Sequence, residues 1–293
     1  MKLPPFEYAC PASLDEAVKL LAAHDGSAKA VAGGQSLIPL LAFRLAAPDL
    51  LVDLRRIPDL GRIGIGEDGV HLGALVRWRD IQDDTRLADA HPLLAAAVSH
   101  VAHYQIRNRG TVGGSIAHAD PAAEMPGIAV VCGAAISVAG SSGARTIAAD
   151  DFFLGPLTTA LEPDELIVDV HLPYWPADRR WGFQEFARRR GDFALAGAGL
   201  YYDEIDGRAA NVRIGVIGTG DRPQRLPAAE FELKGHPVDG AAIARAAAAA
   251  AASVEMHDDI HASAAYRKAL VGTLVERGLE IAAASADTDP ERK

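Results

Sequence analysis

Two stretches of the chain carry the residue types of an anion site. Val31-Ala32-Gly33-Gly34-Gln35-Ser36-Leu37-Ile38-Pro39 directly follows a β-like run. Arg109-Gly110-Thr111-Val112-Gly113-Gly114-Ser115-Ile116-Ala117-His118-Ala119-Asp120-Pro121 lies in a segment dense in Gly, Asp and Pro. Paired glycines let the backbone turn sharply and aim successive N–H groups at one point, a nest that holds an anion. The hydroxyls of Ser36, Thr111 and Ser115 add donors. A single Gly-Gly pair commonly marks a tight turn. Two pairs with hydroxyl neighbours, on either side of an α/β unit, point to a phosphate or diphosphate ligand.

Other chemistry-bearing patterns are weaker. Gly64-Ile65-Gly66-Glu67-Asp68-Gly69 spells a dinucleotide fingerprint, but a second strand follows it rather than a helix, and two acids would face the dianion. It reads as a hairpin. His257 and His261 stand at i, i+4 without a neighbouring Glu or an obvious third ligand, so no metal is assigned. Ser36 lacks the second glycine of a nucleophile elbow, and no Gly-Lys-Ser/Thr sequence is present. Cys10 and Cys132 are the only cysteines and form no CxxC pair, so this chain holds no iron–sulfur cluster of its own.

The elements that must position the loops are legible by period. A capping box at Ser13–Glu16 opens a helix over about 13–24. Strands are expected at 6–8, 28–32 and 50–54, giving a βαβ-like opening with a loop-rich insert. A hairpin pairs 62–65 with 70–75, and a long helix is expected over 77–103. A loop over 108–126, a short apolar helix at 127–132, a strand pair about Ser141-Ser142-Gly143 and a strand at 165–172 follow. Pro173 to Asp178 reads as a link. Beyond it come β runs at 181–188, 194–203 and 211–217, then helices at 240–255 and 262–284, the latter with Tyr266, Leu270, Val271 and Leu274 on its core face. Residues 285–293 read as a polar tail.

Of the 293 residues, 39 are acidic and 29 basic, a formal charge of −10 without a long Lys/Arg cluster. That balance excludes the electrostatic footprint of a duplex-nucleic-acid binder. No apolar run reaches the roughly 20 residues of a membrane span, and the cysteine usage fits a reducing cytoplasm.

Ala32-Gly-Gly-Gln-Ser-Leu-Ile-Pro39 and Gln105-Ile-Arg-Asn-Arg-Gly-Thr-Val-Gly-Gly-Ser-Ile-Ala-His-Ala-Asp-Pro-Ala-Ala-Glu124-Met-Pro126 closely resemble the FAD-binding medium subunit of molybdenum hydroxylases, the carbon monoxide dehydrogenase and xanthine dehydrogenase family. The likeness extends to Arg189-Arg-Gly-Asp192-Phe-Ala-Leu-Ala196 and Tyr266-Arg-Lys-Ala-Leu-Val-Gly272, and so covers nearly the whole chain.

The resemblance implies an α+β fold: an FAD-binding part of the p-cresol methylhydroxylase / vanillyl-alcohol oxidase type plus a C-terminal antiparallel sheet with helices. The expected division is 1–175, itself split near 56, then 176–284. It also implies that Ala32, Gly33, Gly34, Gln35 and Ser36, with Thr111, Val112, Gly113 and Gly114, wrap the FAD pyrophosphate, with Val31, Leu37, Val101, Ser115 and Leu195 completing the site. Glu124 matches an acidic position, usually Asp, that accepts from ribose or ribityl hydroxyls. Asp120 either joins it or caps an Asx turn. Phe193 matches an aromatic, often Tyr, on the isoalloxazine, or else packs in a core strand. Gln35 stands where His is frequent and Ser115 where Asn is frequent. Arg188-Arg189-Arg190 either steers an acidic partner or is a solvated face.

The implied role is electron transfer within a cytoplasmic heterotrimer, dimerised as a whole. A small iron–sulfur subunit relays electrons from a large molybdopterin subunit to this FAD, which passes them to an external acceptor. No catalytic side chain is expected, because the flavin carries the chemistry. A stand-alone FAD oxidase or reductase and a non-catalytic nucleotide-binding scaffold are the alternative readings.

Overall fold

The structure is a computed structural model that describes residues 2–284; the expected tail at 285–293 lies outside the described residues. The chain folds into two compact units. The first comprises Met1–Thr85, His103–Ala119 and Gly133–Tyr174, and the second Arg86–Ala102, Asp120–Cys132 and Trp175–Lys293.

The first unit contains a three-stranded parallel sheet in the order Glu7–Ala9, Leu50–Asp53, Ala28–Val31. The helix Leu14–Ala22 starts where the Ser13 hydroxyl accepts from the Glu16 N–H at 3.2 Å. Its Ala17, Val18 and Leu21 bury against Val52, Leu54 and Ile57, and full burial of each large aliphatic side chain is worth about 1.5–3 kcal/mol. A five-stranded antiparallel sheet follows in the order Ile63–Gly66, Gly69–Gly73, Leu166–Pro173, Ala135–Gly140, Gly143–Ala148. The Gly64–Gly69 sequence is the hairpin read from its context, with Glu67 and Asp68 in the turn.

The second unit contains an antiparallel sheet in the order Arg180–Phe186, Ala196–Ile205, Arg208–Ile217, Gln224–Arg225. Helices Pro227–Leu233, Gly240–Ser253 and Ala264–Ala284 pack in one cluster with Leu200, Ile214 and Val216 of its strands. The alanine-rich helix suits close packing: Ala246 and Ala250 are fully buried there. Val271 and Leu274 face this core as expected, whereas Tyr266 is 46% exposed and belongs off the stripe.

Two segments depart from the expected elements. The 77–103 helix is divided into Trp78–Asp83, Arg86–Ala90 and Pro92–Val98. Pro92 has no N–H to continue a helix and instead starts one, with His91 as its N-cap. The expected loop over 108–126 holds the helix Val112–His118 and the start of Glu124–Cys132. The presumed link also holds Trp175, buried against His91 and Tyr201 at ring distances of 4.5 and 5.2 Å.

Candidate functional site

The first glycine loop emerges from the strand Ala28–Val31 and runs into the short helix Leu37–Ala42. Gly34 takes φ +72°, a backbone conformation that glycine adopts without strain. The Gln35 amide donates to the Gly33 carbonyl at 3.1 Å and holds the loop in shape. The Ser36 hydroxyl makes no cap bond to the helix it precedes. Among the described residues, no protein acceptor takes the backbone N–H of Gly34, Gln35, Ser36 or Leu37. Consecutive donors without partners are costly unless solvated or given a ligand.

Gly34 and Gln35 open on a cavity of about 500 Å³ lined by Val31 to Gln35, Ile38, Pro39, Tyr8, Asp53, Arg55 and Arg109 among others. Burial raises the Asp53 carboxyl, but hydrogen bonds from Arg55 and Tyr8 outweigh it and hold Asp53 below the usual carboxylate range. The Tyr8 hydroxyl donates to Asp53 at 2.8 Å, and the Arg55 Nε donates at 2.7 Å. A guanidinium fixed in this way beside unpartnered N–H groups complements a diphosphate. Tyr8, Asp53, Arg55 and Arg109 escaped the sequence reading as binding residues. Asp53 lies in the strand expected at 50–54 and Arg55 directly follows it.

The second glycine pair behaves differently. Thr111 caps the helix Val112–His118, its hydroxyl accepting from the Gly114 N–H at 3.1 Å. The Val112 N–H donates to the Val76 carbonyl and the Gly113 N–H to the Ala74 carbonyl, both at 2.9 Å, while Ser115 N–H donates to Thr111 O at 3.0 Å. The donors expected to form a second nest are therefore satisfied within the protein. Gly113 is glycine for closeness: a Cβ there would lie 2.6 Å from the Ala74 Cβ and 2.8 Å from its backbone. The two loops also touch, since a Cβ on Gly33 would lie 2.1 Å from the Arg109 carbonyl oxygen. Val31, Ala32, Gly33, Gly34, Gln35, Ser36, Leu37, Thr111, Val112, Gly113, Gly114 and Ser115 thus all belong to the first unit.

Val101, Asp120, Glu124, Phe193 and Leu195 belong to the second unit. Asp120 makes the Asx turn, accepting from the Ala122 N–H at 2.9 Å. Glu124 heads the helix Glu124–Cys132, and burial, reinforced by the nearby Asp120 charge, pushes its carboxyl up to about 7. Burial likewise pushes Glu185 up to about 8, with Glu124 adding to the shift. Phe193 is 67% exposed on the loop between two strands rather than packed in a core strand, so its ring face is open to stacking. Val101 and Leu195 are buried, and the Leu195 carbonyl accepts from Arg267 at 2.7 Å.

The other candidates resolve plainly. His257 and His261 lie on an irregular segment, not on one helix face. Cys132 is buried, which raises its thiol to about 12, and Cys10 is half-buried; both are free thiols. Among the described residues no helix is long and apolar enough to cross a membrane.

A diphosphate-complementary loop on a parallel sheet, in a chain with a second sheet-and-helix unit, fits a protein of mixed architecture that binds a phosphate-bearing nucleotide. Residues 4–175 match the FAD binding domain in molybdopterin dehydrogenase, and residues 181–282 match the CO dehydrogenase flavoprotein C-terminal domain. The nicotine 6-hydroxylase medium subunit of Paenarthrobacter nicotinovorans is 43% identical over 94% of this chain and 97% of its own. Carbon monoxide dehydrogenase from Hydrogenophaga pseudoflava superimposes with TM-score 0.94 at 37% identity, covering 97% of this chain and 99% of its own. Quinoline 2-oxidoreductase from Pseudomonas putida 86 does so with TM-score 0.92 at 40% identity, with the same coverage. The chain belongs to the FAD-binding medium subunits of the molybdenum hydroxylase family, and is a flavoprotein oxidoreductase subunit with FAD as its cofactor.

Proposed function

We propose that this chain is the electron-transfer subunit of a molybdenum hydroxylase complex. It receives electrons from iron–sulfur clusters on a small partner subunit, which in turn draws them from a large molybdopterin subunit, and delivers them to an external acceptor. The complex is a cytoplasmic dimer of heterotrimers. Residues 1–175 form the FAD-binding domain, split near 56, and 176–284 the second domain.

The observation that carries this reading is the row of backbone N–H groups from Gly34 to Leu37, unpartnered among the described residues, of which Gly34 and Gln35 line one cavity with Arg55 and Arg109. Fixed backbone dipoles hold a diphosphate without a large basic patch, which suits a chain of charge −10. Ser36, Thr111 and Ser115 add hydroxyl donors, Glu124 accepts from cofactor hydroxyls and Phe193 offers its ring face to the isoalloxazine. When bound, FAD supplies the redox chemistry, and the protein supplies binding and orientation. With two isolated cysteines, this chain leaves the clusters to another subunit.

The test is co-purification from the native source, with mass spectrometry of the accompanying chains and stopped-flow reduction of the flavin. Recovery with an iron–sulfur chain, and flavin reduction only when that chain is present and reduced, is the expected result. Direct bleaching of the isolated subunit by a small organic substrate would replace this reading with a self-contained oxidase.

A further inference from the structure

Away from the residues that line the cofactor cavity, the five-stranded sheet gathers a set of metal-donor side chains. His71 and His171 are directly opposed in the ladder between Gly69–Gly73 and Leu166–Pro173. Val70 and Leu72 are buried, so the alternation of a strand turns His71 to the opposite face. The two imidazoles stack with centroids 4.4 Å apart and planes 19° apart, and both direct Nε2 toward Asp68 in the hairpin turn. His71 Nε2 stands 3.0 Å from Asp68 Oδ2; His171 Nε2 stands 3.9 Å from that oxygen and 3.1 Å from the Asp68 carbonyl. The three donor atoms all lie within 4.8 Å of one another.

We propose that Asp68, His71 and His171 bind a divalent first-row transition ion of the zinc class, through two imidazole nitrogens and one carboxylate oxygen. Bonds of about 2.0–2.2 Å place the donors of a tetrahedral set about 3.3–3.5 Å apart. The observed spacings bracket that range; because the stacked rings direct their Nε2 lone pairs nearly parallel, one imidazole turns out of the stack, together with the Asp68 carboxylate, for both to meet one ion. A second feature points the same way. His71 Nδ1 lies 2.9 Å from Asp169 Oδ2, so the neutral ring can donate its Nδ1–H to Asp169 and keep the Nε2 lone pair for the ion. This carboxylate–histidine arrangement is the usual outer support of a metal-bound imidazole. Two imidazoles select a borderline ion over Mg²⁺ or Ca²⁺. Three protein ligands leave one coordination position for water, and the ion would clasp the hairpin turn to the strand Leu166–Pro173.

The test uses the full FAD-loaded chain, stripped with a chelator and titrated calorimetrically with Zn²⁺ in excess Mg²⁺. Co²⁺ then serves as the visible-absorption probe of tetrahedral geometry. One equivalent per chain is expected, with Co²⁺ bands of tetrahedral intensity. His171→Ala and Asp68→Asn should each weaken uptake by a hundredfold or more, and Asp169→Asn by about 10–100-fold. Asp68 lies in an exposed turn, so its variant remains informative if His171→Ala fails to fold. The paired change His257→Ala with His261→Ala should leave uptake unchanged. Absence of saturable uptake by the unaltered chain overturns the proposal. So does loss of uptake in the His257/His261 variant, or retention of uptake in Asp68→Asn.

Discussion

At Gly33-Gly34 the chain leaves four successive N–H groups, Gly34 to Leu37, without a protein acceptor, whereas at Gly113-Gly114 the corresponding donors close onto Val76, Ala74 and Thr111. Both loops show paired glycines with a hydroxyl neighbour. In the first, glycine supplies a positive φ and the backbone keeps its donors for a ligand. In the second, glycine removes a side chain so that a helix can press against Ala74. One pair therefore leaves its donors open for the proposed cofactor contact, while the other packs a helix against Ala74. The lesson is that a glycine pair announces close approach, and only the fate of its N–H groups tells what approaches.

The largest effect that could break this contrast is expected at Gly113→Ala. The new methyl meets Ala74 backbone, which cannot turn aside as a side chain would. Overpacking of this kind costs about 1–3 kcal/mol. Urea unfolding of the flavin-free chain should show that loss directly. Lost FAD with unchanged apo stability would instead give the second loop the same direct role as the first.

Gly34→Ala comes next. A Cβ at φ +72° costs about 1–2 kcal/mol and approaches the Ile38 Cγ1 to 3.2 Å. Because it distorts the donor row itself, FAD retention measured by flavin fluorescence should fall by more than the stability loss alone predicts. Arg55→Ala should follow, weakening FAD by about tenfold, the equivalent of some 1.4 kcal/mol. Part of that effect comes from freeing Asp53, so Arg55→Ala combined with Asp53→Asn should recover some affinity. No recovery would leave the guanidinium–phosphate contact as the whole effect.

The smallest expected effect is a pH step. Backbone N–H groups and guanidinium do not titrate near neutrality, so the first loop contributes no pH dependence. Glu124, pushed up to about 7 by burial, is neutral below that value and anionic above it. As the acceptor proposed for cofactor hydroxyls it binds them more strongly as an anion, so FAD affinity should rise severalfold as pH rises through 7, and Glu124→Gln should be flat. A flat profile for the unaltered chain would remove Glu124 from the cofactor's surroundings.

Much of this arrangement was legible because its signals are local. The helix start at Ser13 and the hairpin turn at Glu67-Asp68 each act over a few residues and appear where the sequence places them, although Glu16 reaches back to the Ala12 N–H rather than to Ser13. The helix Val112–His118 was hidden because Gly113 and Gly114 are poor helix formers; Thr111 and the packing on Ala74 override that preference. The break in 77–103 hinged on Pro92, whose role as a helix start rather than an interior residue depends on His91 capping it. The contribution of Arg55 was less visible still. Its guanidinium acquires a direction only through Asp53 and Tyr8, and Tyr8 is 45 residues away from Asp53 in sequence.

The contact of Gly33 with the Arg109 carbonyl also bears on how the protein is made. The phosphate loop sits in the first forty residues, yet the backbone that supports it lies some seventy residues downstream. During synthesis the loop therefore emerges long before its support, and only a chain that has grown past Gly110 carries both. If the loop holds the cofactor as proposed, flavin capture awaits that long-range closure within the first unit, and an early-terminated fragment should emerge without flavin.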